Sequence, residues 1–106
     1  MTECPIIFPH GVAVIPWMMP GGLDIARVTS GYMKDFDVAV WAHHGIFCAS
    51  TDFDNTFGLM HTVEKSAQIY LAILNTGKPI LQTITDDYLR AIEKDFKITL
   101  NHDFLD

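Results

Sequence analysis

The stretch DVAVWAHHG, residues 37–45, decides the fold of this chain of 106 residues. Its first part, Asp37 to Trp41, is a continuous apolar run, which is typical of a β-strand covered on both faces. The run opens into Ala42-His43-His44-Gly45, a strand exit that carries two neighbouring histidines. Because successive side chains of a strand point to opposite faces, we expect at most one of these imidazoles to face a given pocket.

A long helix is predicted after this strand, over about residues 54–75. The polar stretch Ser50-Thr51-Asp52 offers N-caps for it. Gly77 lies where a left-handed C-cap is needed, and Pro79 prevents any continuation. The apolar positions with helical spacing are Met60, Val63, Ala67, Tyr70, Leu71 and Leu74.

On the N-terminal side, two short apolar runs flank the turn signal Pro9-His10-Gly11. The runs Cys4 to Phe8 and Val12 to Ile15 therefore predict a β-hairpin. Beyond the break at Pro20-Gly21-Gly22, apolar residues recur with helical spacing, which predicts a helix over about residues 22–34.

On the C-terminal side, Ile80 to Thr83 is predicted as a short extended segment, and Thr85 as the cap of a last helix that ends near Asp95. The element order is then β-β-α-β-α-(β)-α. This order predicts one layered domain over residues 1–106, of the α/β class or its α+β relative.

Composition excludes several classes of protein. With 49% hydrophobic residues, the chain is neither disordered nor fibrous, and part of its apolar surface is expected to face a partner. A formal net charge of −6 disfavours binding to nucleic acid or to an anionic membrane. Two cysteines are too few for a disulfide scaffold, and prolines interrupt the early apolar stretch, so a cytoplasmic location is predicted.

Three residues are candidates for chemistry, and each has a bland interpretation beside the functional one. The five histidines form no H-x-H or H-E-x-x-H motif, so no metal site is complete within this chain. His44 suits a metal ligand because it lies where a strand opens into a glycine turn; the alternative is a packed or capping histidine. Glu3 is the one carboxylate near the first strand, and its alternative is a solvated charge near the chain terminus. Glu64 lies mid-helix, where it either orients a histidine or is simply exposed.

Seven motifs carry a resemblance to a known family. They are Thr2-Glu3-Cys4, Phe8-Pro9-x-Gly11-Val12, Pro16-Trp17-Met18-x-Pro20-Gly21, Val40-Trp41-x-x-His44-Gly45, Asp54-x-Thr56-Phe57-Gly58-Leu59, Glu64-Lys65-Ser66-Ala67-Gln68 and Gln82-Thr83-Ile84. In order and spacing they resemble the zinc-dependent class II aldolases of the aldolase/adducin family. The likeness runs from about residue 2 to residue 99 and implies part of that family's α/β/α sheet domain.

The resemblance implies an activity, a cofactor and roles for two of the three candidates. It implies a retro-aldol lyase that splits L-rhamnulose 1-phosphate into dihydroxyacetone phosphate and L-lactaldehyde. In the family, Zn²⁺ held by three histidines stabilises the negative charge that the broken carbon–carbon bond leaves behind. His44 corresponds to the third of these ligands and Glu3 to a glutamate that handles protons, whereas the role of Glu64 rests on its position in the helix alone.

Departures from the family pattern limit what this chain is expected to do alone. The H-x-H pair, the main catalytic glutamate and the phosphate-binding loops belong to the family's N-terminal half, and this sequence contains none of them. The chain thus resembles the C-terminal portion only, and we expect it to be inactive and to bind zinc weakly by itself. Its implied partners are the missing N-terminal portion, a sugar-phosphate substrate and further copies, since relatives are homotetramers.

Two alternatives remain open. One is another member of the same family, a sugar-phosphate aldolase or epimerase with similar zinc chemistry. The other is a non-catalytic interaction domain of the kind that adducin represents. The presence of both Glu3 and His44 argues against the interaction domain, because a scaffold has no need of either side chain.

Overall fold

A computed structural model describes residues 1–105 as a mixed α/β fold with one small sheet. In chain order its elements are α1 (Glu3–Ile7), β1 (Ala13–Ile15), α2 (Leu23–Tyr32), β2 (Val38–Trp41), β3 (Gly45–Cys48), α3 (Phe53–Leu74), α4 (Asp86–Phe96) and a 3₁₀ turn at His102–Phe104.

Strand β2 is the centre of the sheet, as its continuous apolar sequence predicts. The strand order is β1-β2-β3. Strand β1 runs parallel to β2, with Ile15 opposite Trp41, and β3 runs antiparallel to β2, with Gly45 opposite Trp41. A parallel pair needs a crossover connection, which α2 provides here.

The main core lies between the sheet and α2. Ala13, Ile15 and Ala39 form a buried cluster against which Val28 and Met33 pack. Ile15 has no exposed surface, whereas its neighbour Val14 is 65% exposed. This contrast follows from strand geometry, because alternate side chains point to opposite faces of the sheet and α2 covers only one of them.

Helix α3 begins and ends close to its predicted bounds. The Asp52 side chain caps it by accepting a hydrogen bond from the Asn55 backbone amide at 2.8 Å. Gly77 has a φ of +67°, so the glycine predicted to end the helix does adopt a left-handed conformation just beyond it. Helix α2 lies within its predicted range, and α4 begins after its predicted cap, Thr85.

The apolar stripe of α3 is not buried against this chain. None of its 22 residues is buried, and within the predicted stripe only Val63 reaches partial burial. Elsewhere Phe53 is 82% exposed and Leu81 is 94% exposed. Among residues 1–105, no helix combines the length and the apolar character that a membrane span needs. The apolar surplus of the composition therefore lies largely on the surface.

The predicted N-terminal hairpin is wrong. Glu3–Ile7 forms helix α1, and β1 pairs with β2 rather than with the preceding segment. Pro5 is compatible with this helix because it lies in the first turn, where its missing amide has no intrahelical partner. The Cys4 thiol also lies 3.0 Å from the Ser66 hydroxyl, a contact that joins α1 to α3.

Two smaller predictions also need correction. Residues 46–48 belong to strand β3, which the sequence analysis left unassigned, and residues 80–83 form no strand. The observed order among the described residues is α-β-α-β-β-α-α followed by a 3₁₀ turn, in place of β-β-α-β-α-(β)-α.

The C-terminal segment folds back onto α4 through one carboxylate. Glu93 accepts a hydrogen bond from the Leu100 amide at 2.7 Å, and the His102 Nε2 atom lies 3.0 Å from the same carboxyl oxygen. Leu89, Leu100 and Leu105 form a small buried cluster beneath this contact. The hydrogen bond to Leu100, followed by the contacts with His102, lowers the pKa of Glu93.

Replacement of Ile15 by Ala tests the placement of the core. Ile15 is fully buried, so Ile15→Ala is expected to lower the free energy of unfolding by about 2–5 kcal/mol. The matched control is Val14→Ala on the exposed face, with an expected change of about 0.5 kcal/mol or less. Urea unfolding followed by circular dichroism measures both values, and equal losses would contradict the assigned faces.

The Glu93 contact predicts a pH dependence of the C-terminal segment. The folded pKa of Glu93 lies below its unfolded value, so the stabilisation is complete above the usual glutamate pKa and is lost as pH falls through the folded pKa. Glu93→Gln is expected to speed hydrogen exchange at the Leu100 amide at neutral pH and to remove part of the acid sensitivity. Asp95→Asn, on the same helix, is the control. Unchanged exchange in Glu93→Gln would contradict the role of this carboxylate.

Candidate functional site

The candidate site is built on the turn that joins β2 to β3. Residues 42–44 form this turn, and the His44 amide donates to the Trp41 carbonyl oxygen at 3.0 Å. The Ala42 amide donates to the Ile15 carbonyl oxygen of β1, also at 3.0 Å. The backbone before and within the turn is therefore fixed by bonds to two different strands.

The two histidines differ because of the turn conformation. Both side chains are exposed, and both residues lie in the turn rather than on a continuing strand. His43 adopts a φ of +59°, in the left-handed region. The His44 imidazole stacks on the Trp41 indole, with ring centroids 5.4 Å apart and planes inclined by 28°. The sequence predicted that at most one of the two imidazoles faces a given pocket, because strand side chains alternate. The two imidazoles do differ in their contacts, but the turn conformation and not strand alternation causes the difference.

Trp41 connects His44 to the core. Its indole packs against the buried cluster of Ala13, Ile15 and Ala39. It also stacks on Phe47 of β3, with centroids 6.2 Å apart and planes within 2° of parallel. The indole nitrogen of Trp41 is buried and has no hydrogen-bond partner within the part of the chain that the structure describes. Packing and stacking therefore hold this ring.

Two neighbouring hollows open beside the turn. The first, of about 280 Å³, is lined by Trp41, His44, Gly45, Ile46 and Phe47. The second, of about 350 Å³, is lined by Gly45, Ile46, Phe57, Met60, His61 and Glu64. They share Gly45 and Ile46, so Glu64 of α3 and His44 belong to adjoining surfaces.

Glu64 approaches this region without contacting His44. Its carboxylate is exposed and accepts a hydrogen bond from the Gln68 side chain at 3.0 Å. Among residues 1–105, no hydrogen bond joins Glu64 to either histidine of the turn. The interpretation that Glu64 orients a ligand stays a prediction.

Glu3 lies on helix α1 and not on a strand. It is exposed in the first turn of α1, and α1 reaches α3 at Ser66. At about 100° of rotation per residue, Ser66 lies about 140° from His61 and about 160° from Glu64 around α3. The expected route by which adjacent strands would bring Glu3 to His44 is wrong, because Glu3 lies on a helix and not on a strand.

The donor set for a metal ion is incomplete in this part of the chain. Within the described residues, no group of three or more His, Cys, Asp or Glu side chains is placed to hold a metal ion. His44 fits as a single ligand, because it is an exposed imidazole on a fixed turn. A catalytic zinc ion needs three protein ligands and an open position, which is more than the described residues bring together.

Sequence reasoning missed the part that Trp41 plays at this site. The apolar run that ends at Trp41 predicted only a residue of a covered strand, which describes half of the observed contacts. The stacking on His44 depends on the turn after β2, and the stacking on Phe47 depends on pairing with β3, a strand that was not predicted. The short spacing of Trp41 and His44 across a turn was the one available signal.

The chain matches one known family and a set of curated enzymes. Residues 1–71 match the family described as "Class II Aldolase and Adducin N-terminal domain". The chain is 43% identical to rhamnulose-1-phosphate aldolase of Listeria innocua over 104 residues, which are 98% of this chain and 38% of that protein. It is 41% identical to rhamnulose-1-phosphate aldolase of Klebsiella pneumoniae over 97 residues, which are 92% of this chain and 35% of that protein. The chain thus spans little more than a third of the length of these relatives.

Substitution of His43 tests the turn conformation. Because His43 has a positive φ, His43→Gly is expected to be more stable than His43→Ala by about 1 kcal/mol. The control pair is Gln68→Gly and Gln68→Ala on the surface of α3, for which the order reverses by about 1 kcal/mol. Thermal unfolding of the four variants gives the comparison. A less stable His43→Gly variant would contradict the left-handed turn.

Proposed function

Because this chain belongs to the class II aldolase and adducin family, we propose that it is part of a cytoplasmic aldehyde-lyase. The proposed reaction is the retro-aldol cleavage of L-rhamnulose 1-phosphate to dihydroxyacetone phosphate and L-lactaldehyde. The observation that carries the proposal is the 43% identity, over 98% of the chain, to a relative named rhamnulose-1-phosphate aldolase.

His44 is proposed as one of three zinc ligands in the complete enzyme. Its support is the resemblance of Val40-Trp41-x-x-His44-Gly45 together with an exposed imidazole on a turn fixed to two strands. Lewis-acid stabilisation of charge developing on substrate oxygens is what zinc supplies when bound. The other two ligands are proposed to lie in the portion of the enzyme that this chain does not cover.

Glu3 is proposed to move a proton on the substrate, and Glu64 to orient a ligand. The proton-transfer role of Glu3 is supported by the resemblance of Thr2-Glu3-Cys4 to the family motif and by the solvent exposure of this residue. Since Glu3 and His44 are not in contact here, their shared role requires the rest of the enzyme to complete the cavity between them. Glu64 is supported by its place on the hollow adjoining the turn.

The proposed partners follow from the incomplete coverage of the relatives. The chain spans 38% of the Listeria innocua protein, and the apolar side chains of α3 are largely exposed. We therefore assign to the remaining portion of the enzyme the role of covering α3 and binding the substrate phosphate. We also propose that the complete enzyme is a homotetramer and that this chain forms part of the family's α/β/α sheet domain.

A second candidate is a non-catalytic interaction domain. The matched family includes adducin in its description, and an exposed apolar helix is typical of a surface that binds another protein. Under this alternative, His44 and Glu3 have no chemical task, and their replacement leaves complex formation intact. An epimerase of the same family is a variant of the enzyme proposal with a different substrate.

A chimera tests these alternatives. This chain replaces the matched region of the Listeria innocua aldolase, and dihydroxyacetone phosphate release from L-rhamnulose 1-phosphate is measured beside the isolated chain. We expect zinc-dependent turnover from the chimera and none from the chain alone. His44→Ala is expected to lose both turnover and bound zinc, whereas Glu3→Gln loses about 10²- to 10⁴-fold in kcat and keeps its zinc.

The control is His43→Ala, which is expected to keep zinc and turnover because His43 is not an assigned ligand. Turnover by the isolated chain with added zinc would contradict the proposed need for a second portion. A chimera that binds zinc equally well with and without the His44 imidazole would exclude the ligand role. Assembly without turnover, insensitive to both substitutions, would favour the interaction domain.

A further inference from the structure

Trp41 joins the buried core to the candidate ligand His44. At one end it packs against Ala13, Ile15 and Ala39, which are the best buried residues on the α2 face of the sheet. At the other end its indole stacks on the His44 imidazole at a centroid distance of 5.4 Å. No polar contact within residues 1–105 fixes the His44 ring, so this stacking is what orients it.

The indole is itself well fixed. Phe47 stacks on it nearly parallel from the paired strand, and the Trp41 backbone pairs with β1 on one side and β3 on the other. Aromatic pairs at these distances are favourable beyond their buried area. A rigid ring set in a central strand therefore defines where an otherwise exposed imidazole lies.

His43 shows what the same turn does without such a ring. It is also exposed and lies one residue away, yet within the described residues it stacks on no aromatic side chain. His61 offers a second comparison, since it stacks on Phe57 of its own helix, with centroids 6.1 Å apart. The chain thus contains one candidate ligand stacked on the core, one unstacked neighbour and one stacked histidine far from Trp41 in sequence.

We propose that Trp41 is a positioning residue for His44, which holds the imidazole in one orientation by stacking and so raises its affinity for a divalent cation. This inference rests on the proposed function, in which His44 is a metal ligand. The physical reason is that an imidazole already ordered before binding loses less side-chain entropy when it binds. Immobilising one side chain is expected to alter affinity by about two- to tenfold.

Nuclear magnetic resonance of the full 106-residue chain tests the geometry. At pH 8, where exposed imidazoles are neutral, wild-type His44 ring protons are expected to show cross-relaxation with the Trp41 indole and an upfield ring-current shift. In Trp41→Leu this shift disappears, and in Trp41→Phe part of it remains. His43 and His61 ring signals stay in place in both variants, and amide spectra establish that each variant is folded.

A titration of the same samples with Zn²⁺ alone tests the consequence. In the wild-type chain, His44 signals are expected to respond at a lower Zn²⁺ concentration than His43 signals. Trp41→Leu is expected to weaken Zn²⁺ binding at His44 by about two- to tenfold and leave binding at His43 unchanged. Trp41→Phe recovers most of the difference. Trp17→Leu, which removes a half-exposed tryptophan elsewhere, leaves both histidines unaffected.

Three results would overturn the inference or its premise. Absence of His44–Trp41 cross-relaxation in the wild-type chain would show that the two rings do not stack in solution. Loss of the ring-current shift in Trp41→Leu, with Zn²⁺ affinity at His44 unchanged, would contradict the positioning role. A wild-type chain with the stack intact but no preference of Zn²⁺ for His44 over His43 would count against the proposed ligand role of His44 itself.

Discussion

Backbone pairing of β2 on both of its edges is the constraint on which the rest of the site depends. Every residue from Val38 to Trp41 pairs with β3, and the last three also pair with β1. The Ala42 amide extends this pairing past the end of the strand by donating to Ile15. Because unpaired buried backbone groups are costly, such a strand end has little freedom to move. The turn that follows therefore begins at a fixed backbone position. His44, the third residue of this turn, lies close to that position in the chain.

The fold buries one face of the sheet and leaves much apolar surface exposed. Helix α2 covers one face of the sheet, and its contacts bury Ile15, Ala13 and Ala39. Helix α3 contacts β3, but it leaves Val14 and most of its own apolar residues exposed. A chain that spans 38% of a 43% identical relative would be expected to show such a surface. The proposed remainder of the enzyme covers this surface and completes the ligand set around His44.

Sequence periodicity predicted the elements that local residues determine. The apolar run at Val38, the Asp52 cap and the left-handed Gly77 gave β2 and the bounds of α3, because each signal acts within a few residues. The segment from Cys4 to Phe8 was predicted as a strand because a turn signal separates it from a second apolar run, but its apolar residues are equally compatible with a short helix. In the structure this segment contains helix α1, which contacts Ser66, far away in the sequence. Likewise, β3 is defined by its pairing with β2. No local sequence pattern at Ile46 predicts this pairing.

The candidate site was only partly predictable for the same reason. His44 was assigned from its motif, and its exposed place on a fixed turn agrees with a ligand role, while the role itself stays a proposal. The contact of His44 with Trp41 depends on how β2, the turn and β3 combine. Glu3 was expected beside His44 through two adjacent strands, but α1 is a helix that meets another side of α3. The shared role of the two residues therefore stays a proposal.

In the proposed enzyme, His44 binds the metal ion together with ligands from the rest of the protein. The most direct measurement is an anomalous difference map, recorded at the zinc absorption edge, from crystals of the chimera with the Listeria innocua protein. The account predicts a peak about 2.0–2.1 Å from an imidazole nitrogen of His44, with the remaining ligands supplied by the other portion. A zinc peak ligated entirely by that other portion, with the His44 ring turned away, would contradict it.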